Sequence, residues 1–139
     1  MEKNLVYMLE DDSDDRYITQ SAIEELGLPV QVKYFAKSDQ FLEFLNDAPK
    51  AFLILVDYNS MPDNAETILQ KIKINGTHEG TPVIILSDSS VTKYKEKCYA
   101  LGASSFIEKP SKVNRTKEVI QIFFTYWLTI AGVNVKEVV

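Results

Sequence analysis

Short apolar runs recur along this chain, and each is followed by a stretch where apolar residues return every three or four positions. A short apolar run bounded by polar residues reads as a strand buried on both faces, the kind that parallel sheets contain. Strands are predicted at 5–9, 30–35, 52–57, 83–87 and 105–107. Between them, Ile18, Ala22 and Leu26 mark a first helix, stopped by Gly27 with Pro29 just beyond. Ser38 with Phe41, Leu42 and Leu45 marks a capped short helix. Ile68, Leu69 and Ile72 mark a third, closing near Asn75-Gly76. Tyr94, Cys98 and Leu101 mark a fourth, ended by Gly102, and a fifth fills residues 113–131. This alternation predicts an α/β fold, a doubly wound flavodoxin-like parallel sheet with right-handed crossovers and helices on both faces. One domain is expected over residues 1–131, with 132–139 as a C-terminal tail.

Composition narrows the class. A chain of 139 residues that is 45% hydrophobic is one ordinary domain, long enough to bury a core. Its net charge of −5 argues against direct binding to nucleic acid or to an anionic membrane. The single cysteine, Cys98, excludes an internal disulfide and a cysteine metal cage, and fits a cytoplasmic location. Glu2, Lys3 and Asn4 lead straight into the first strand, so no signal peptide is read there. No apolar stretch reaches the roughly 18 residues that a membrane span needs.

The chemistry collects at strand ends. The run Phe-Leu-Ile-Leu-Val delivers Asp57, and the run over residues 5–9 delivers Glu10-Asp11-Asp12. In a doubly wound sheet of order 2-1-3-4-5, strands 1 and 3 are neighbours at the switch point, where such folds bind ligands. Asp11 and Asp57 would then share one cation. Oxygen ligands favour Mg²⁺, with the backbone carbonyl of Asn59 as a further ligand. The competing reading makes Glu10, Asp11, Asp12, Asp14 and Asp15 a solvated helix start, where acids complement the helix dipole. Asp14 and Asp15 are assigned to that role. The fourth strand ends at the hydroxyl of Ser87, and Phe106-Ile107-Glu108 runs into Lys109-Pro110. Alone, Ser87 is a strand-end hydroxyl and Lys109 a surface lysine. Together with the acids they suit a phosphoryl group on a carboxylate, whose oxygens need a metal, an ammonium and a hydroxyl donor.

These pieces resemble the receiver domain of two-component response regulators. The likeness rests on Met-Leu-Glu10-Asp11-Asp12, on Leu-Ile-Leu-Val-Asp57 with Met61-Pro62 following, and on Val-Ile-Ile-Leu-Ser87. It is completed by Gly102-Ala103 with Phe106-Ile107-Glu108-Lys109-Pro110, in the family's order over roughly residues 4–130. The resemblance implies that Asp57 accepts a phosphoryl group, with Mg²⁺ bound, from a histidine kinase, a phosphotransfer protein or a small phosphodonor. It implies the acidic pair Glu10-Asp11, with Asp11-Asp12 as the alternative pairing. Ser87 would hydrogen-bond the phosphoryl oxygen and Lys109 would pair with it. Phe106 would be the aromatic switch that swings inward when Ser87 moves, with core packing as its competing role. The resemblance implies a signalling domain that catalyses only its own phosphorylation and dephosphorylation, not an enzyme with an external substrate.

The chain departs from the family pattern in places. Met61 falls four residues after Asp57, one more than usual, which puts an apparent insertion at Asn59-Ser60. Ala65 stands where glycine is usual, and Asp88 adds a carboxylate beside Ser87. These departures support an alternative, a degenerate receiver that binds a partner without phosphorylation. The fifth helix carries apolar residues over an arc of roughly 240°, more than one buried face needs. Ile122, Phe123, Tyr126, Trp127 and Ile130 are therefore expected at a partner or homodimer surface, with Tyr94 and Tyr99 of the fourth helix either joining that surface or covering it. The stretch Phe123-Phe124-Thr125-Tyr126-Trp127-Leu128 is also similar to that of stand-alone receivers associated with phytochrome-type kinases. This likeness implies dimerisation through helix 4, strand 5 and helix 5. An aspartyl phosphatase is disfavoured because Asn59 stands where a general acid is wanted, and His78 offers no catalytic pairing.

Overall fold

Five apolar runs form five strands. The computed structural model describes residues 3–88, 91–109 and 113–130, the last including Val113, Asn114 and Ile130 without their side chains. In chain order the elements are β1 (Asn4–Leu9), α1 (Ser13–Leu26), β2 (Val30–Phe35), α2 (Ser38–Leu45), β3 (Leu53–Asp57), α3 (Ala65–Lys73), β4 (Val83–Ser87), α4 (Thr92–Ala100), β5 (Ser105–Glu108) and α5 (Val113–Thr125). A π-helical turn, Tyr126–Ile130, continues α5. The sheet is parallel, in the order β2-β1-β3-β4-β5. The expected tail, residues 132–139, lies outside the described residues.

Burial explains the pattern. Every residue of β3 and β4 is buried, because helices cover both faces of the central strands. Successive side chains of a strand point to opposite faces, so each strand feeds two cores. Tyr7, Leu9, Ile54, Val56 and Ile85 pack with Phe41, Ile68, Leu69 and Cys98 on the α2–α3–α4 side. Val6, Met8, Leu53, Leu55 and Ile84 pack with Ala22, Ile23, Ile120 and Phe124 on the α1–α5 side.

The helix ends follow local chemistry, with one correction. Asp12 caps α1, accepting the backbone N–H of Asp14 at 2.8 Å and of Asp15 at 3.2 Å. Gly27 closes α1 at φ 59°, a left-handed conformation that glycine adopts without strain. Helix α2 is not capped by Ser38. Lys37 occupies the cap without a side-chain bond, and the Ser38 hydroxyl donates to Asp63 Oδ2 at 2.9 Å while accepting the Asp63 N–H at 2.7 Å. That exchange ties α2 to the loop after β3. His78 is fully buried in the α3–β4 loop, its Nε2 2.9 Å from the Leu45 carbonyl oxygen, away from the strand ends that carry the acids.

Candidate functional site

Backbone pairing continues one residue past the strands and aims their last side chains into one crevice. The N–H of Glu10 donates to the Phe35 carbonyl at 2.8 Å, that of Tyr58 to Leu86 at 2.8 Å, and that of Lys109 to Ser87 at 2.7 Å. Glu10, Asp11 and Asp57 each bring a carboxylate oxygen into a group whose members lie within 4.8 Å of one another. Glu10 is 1% exposed, Asp57 is 7% exposed, and Asp11 is exposed at the mouth. Asp12 is not part of this group, because its carboxylate is spent on capping α1.

Lys109 bridges the acids. Its Nζ lies 2.5 Å from Glu10 Oε1, 2.9 Å from Asp15 Oδ2 and 3.9 Å from Asp57 Oδ2. Asp15 therefore belongs to the site, a correction to its assignment as a solvated helix-start residue. Asp14 donates its N–H to the Asp12 cap and is itself exposed. Arg16 adds a second anchor, its Nη1 donating to the Glu10 carbonyl at 2.7 Å.

Burial and the neighbouring Asp57 push the Glu10 carboxyl up to about 8, against the opposing pull of Lys109. Burial alone would lower the Lys109 ammonium, but Glu10, Asp57 and Asp15 outweigh it and hold the group above its ordinary range. Three carboxylates thus surround one ammonium among the described residues, and Asp11 adds a fourth at the mouth of the crevice. The donors are all hard oxygens and the local charge is negative, the chemistry that fits Mg²⁺.

The loop after Asp57 absorbs the apparent insertion. Asn59 donates its N–H to Asp57 Oδ1 at 3.2 Å, and the Ser60 N–H and hydroxyl both donate to the Asp57 carbonyl. Ser87 is buried at the end of β4, between the strand that carries Asp57 and the strand that leads to Lys109. Asp88 is exposed and outside the acidic group. Phe106 is 8% exposed and packs in the α2–α3–α4 core, its ring 6.0 Å from Tyr58.

The expected interface residues divide. Ile122 is 68% exposed, Tyr126 is partly exposed and Trp127 is half-buried. These three help line a groove of about 460 Å³ between β5 and α5. Phe123 is buried in the α1–α5 core and also lines the groove. Neither tyrosine of α4 covers α5: Tyr94 stacks on Tyr58 at 5.1 Å, and the Tyr99 hydroxyl accepts the Phe106 N–H at 3.0 Å. The side chain of Ile130 lies outside the described residues.

The family model for the response regulator receiver domain matches residues 6–121. The chain belongs to that family. The two-component response regulator ARR17 of Arabidopsis thaliana is 30% identical over 98 residues, covering 70% of this receiver and 59% of the relative. The receiver spans about half the length of the Arabidopsis relatives it matches. A probable chemotaxis protein CheY of Rhizobium etli is 23% identical over 123 residues, covering 88% of this receiver and 94% of that protein. Among solved structures, the phosphorylated cyanobacterial phytochrome response regulator RcpA superposes with a TM-score of 0.85 at 22% identity, covering 91% of the receiver and 95% of that chain. A response regulator from Hahella chejuensis gives 0.85 at 26% identity, covering 92% and 97%. The Mn²⁺-bound form of response regulator Rcp1 gives 0.84 at 20% identity, covering 91% and 96%. Among the described residues, no helix is long and apolar enough to cross a membrane.

Proposed function

We propose that the receiver accepts a phosphoryl group on Asp57 from a histidine kinase or phosphotransfer protein, with Mg²⁺ bound. The observation that carries this reading is the convergence of Glu10, Asp11 and Asp57 in one crevice, with the Lys109 ammonium 3.9 Å from Asp57. An Asp57 oxygen attacks phosphorus, and the P–N bond of a phosphohistidine breaks as the new P–O bond forms. The imidazole leaves with the electron pair and takes a proton from water. Glu10, Asp11, Asp57 and the Asn59 carbonyl would hold Mg²⁺, which would supply positive charge for the phosphoryl oxygens. Lys109 is kept within reach of one of those oxygens by Glu10 and Asp15, and the Ser87 hydroxyl donates to another.

Phe106 is the switch of this reading, since a shift of Ser87 on β4 is felt by the ring through the neighbouring strand. The output surface is α4, β5 and α5, where Ile122 and Tyr126 remain exposed beside an apolar groove and favour a homodimer. The receiver is then a cytoplasmic signalling domain whose only chemistry is its own phosphorylation and dephosphorylation. Intact mass after incubation with acetyl phosphate tests the reading. One phosphoryl adduct is expected with Mg²⁺, and none with chelator or in Asp57→Asn. No adduct in folded protein overturns it.

A further inference from the structure

The groove beside the Asp57 loop shares Asn59 with that chemistry, but its other lining residues take no part in it. It holds about 520 Å³ between the β3–α3 loop and α4. Tyr58 and Tyr94, stacked on one another, form part of its wall. The Tyr58 hydroxyl donates to Glu66 at 2.7 Å, and Glu66 is 9% exposed, so that carboxylate is engaged within the wall. The groove shows solvent the Met61 side chain, 70% exposed, and the ammoniums of Lys93 and Lys97, one turn apart on α4. Neither ammonium joins an ion pair among the described residues.

Charge identifies the occupant. Helix α4 carries Lys93, Lys95 and Lys97 against Glu96 alone, in a chain of net charge −5. A basic helix flanking a groove that offers Tyr58, Met61 and Tyr94 among polar residues is complementary to a segment that alternates carboxylates with an apolar side chain. A second copy is a poor occupant. At the start of its α1, Asp12 is engaged on the helix cap and Asp15 on Lys109, and the acidic run Glu10-Asp11-Asp12-Ser13-Asp14-Asp15 holds no apolar side chain to enter the groove.

We propose that this groove docks an acidic segment of a partner protein. An apolar side chain of the segment enters beside Met61 and Tyr94, and its carboxylates meet Lys93 and Lys97. Exposed charge pairs contribute little each, so the lysines set orientation and association rate while the apolar anchor supplies the larger share of affinity. The docking does not depend on phosphorylation of Asp57.

A fluorescein-labelled heptapeptide of six acidic residues around a central phenylalanine provides the probe, read by anisotropy on the unphosphorylated receiver. Saturable binding is expected that weakens by about tenfold, or 1.4 kcal/mol, in the Lys93→Glu/Lys97→Glu double variant. Met61→Ala, which changes no charge, should weaken it as well. Lys71→Glu, a charge reversal on α3 away from the groove, should leave it unchanged. Absence of binding, or equal losses in Lys71→Glu and the double variant, would overturn the proposal. So would sedimentation showing that the lysines instead join two receivers without peptide.

Discussion

In a chelator, raising the pH should make this receiver easier to unfold, through Glu10. The folded chain holds the Glu10 proton up to about pH 8, whereas the ordinary value is 4.5. Between those values the folded state binds more protons than the unfolded one. The stabilisation is therefore complete below about 4.5 and is lost as the pH rises through about 8. At 1.36 kcal/mol per unit, the interval sets a ceiling of about 5 kcal/mol. The crevice opens to water at Asp11, which screens the repulsion, so about 2–3 kcal/mol is expected. Lys109 adds no slope, since an ammonium held above its ordinary range stays charged in both states across this window. Urea denaturation in EDTA from about pH 5 to pH 8 measures the effect as a falling midpoint at constant slope. Glu10→Gln should flatten the profile, and Mg²⁺ at the alkaline end should restore the wild-type midpoint. Parallel profiles for wild type and Glu10→Gln, or a wild-type midpoint that rises with pH, would refute the reasoning.

Other substitutions test packing and partners. Phe124→Ala removes a fully buried ring from the α1–α5 core and should cost about 3–5 kcal/mol in urea denaturation. Tyr58→Phe leaves the buried Glu66 carboxylate without its hydroxyl donor and should cost about 1–3 kcal/mol by the same measurement. Ile122→Glu alters an exposed position, so its stability should stay within about 0.5 kcal/mol of wild type. Sedimentation equilibrium should nonetheless show weaker self-association in that variant.

The sheet was legible because parallel strands buried on both faces leave continuous apolar runs. Residues 30–35 and 83–87 fall where β2 and β4 are found, and the remaining strand boundaries shift by one residue. Phe52 drops out of β3, although its N–H still donates to the Leu5 carbonyl at 2.7 Å. Helix ends were less legible, since a serine near a helix start looks like a cap whether or not its hydroxyl has a distant partner. For Ser38 that partner is Asp63, 25 residues away, and nothing local in the sequence announces it.

The same distinction runs through the site. The placement of Glu10, Asp11, Asp57, Ser87 and Lys109 at one edge of the sheet was readable because each ends or follows a strand. Asp15 was missed because its role depends on the approach of Lys109, 94 residues away. Tyr58 was missed because an aromatic residue after a buried strand reads as core, whereas its hydroxyl and ring link α3 to α4. The alternative in which the α4 tyrosines cover α5 fails for a related reason, since helix periodicity gives the face of a side chain but not its neighbour.

Reduction of the phosphorylated protein with borohydride, followed by peptide mapping, locates the phosphoryl group, because hydride converts an aspartyl phosphate to homoserine at the modified position. The account predicts conversion at residue 57 alone, only when Mg²⁺ was present during incubation with the phosphodonor. Conversion at Asp11 or Asp88, or none in folded protein with Mg²⁺, would contradict it.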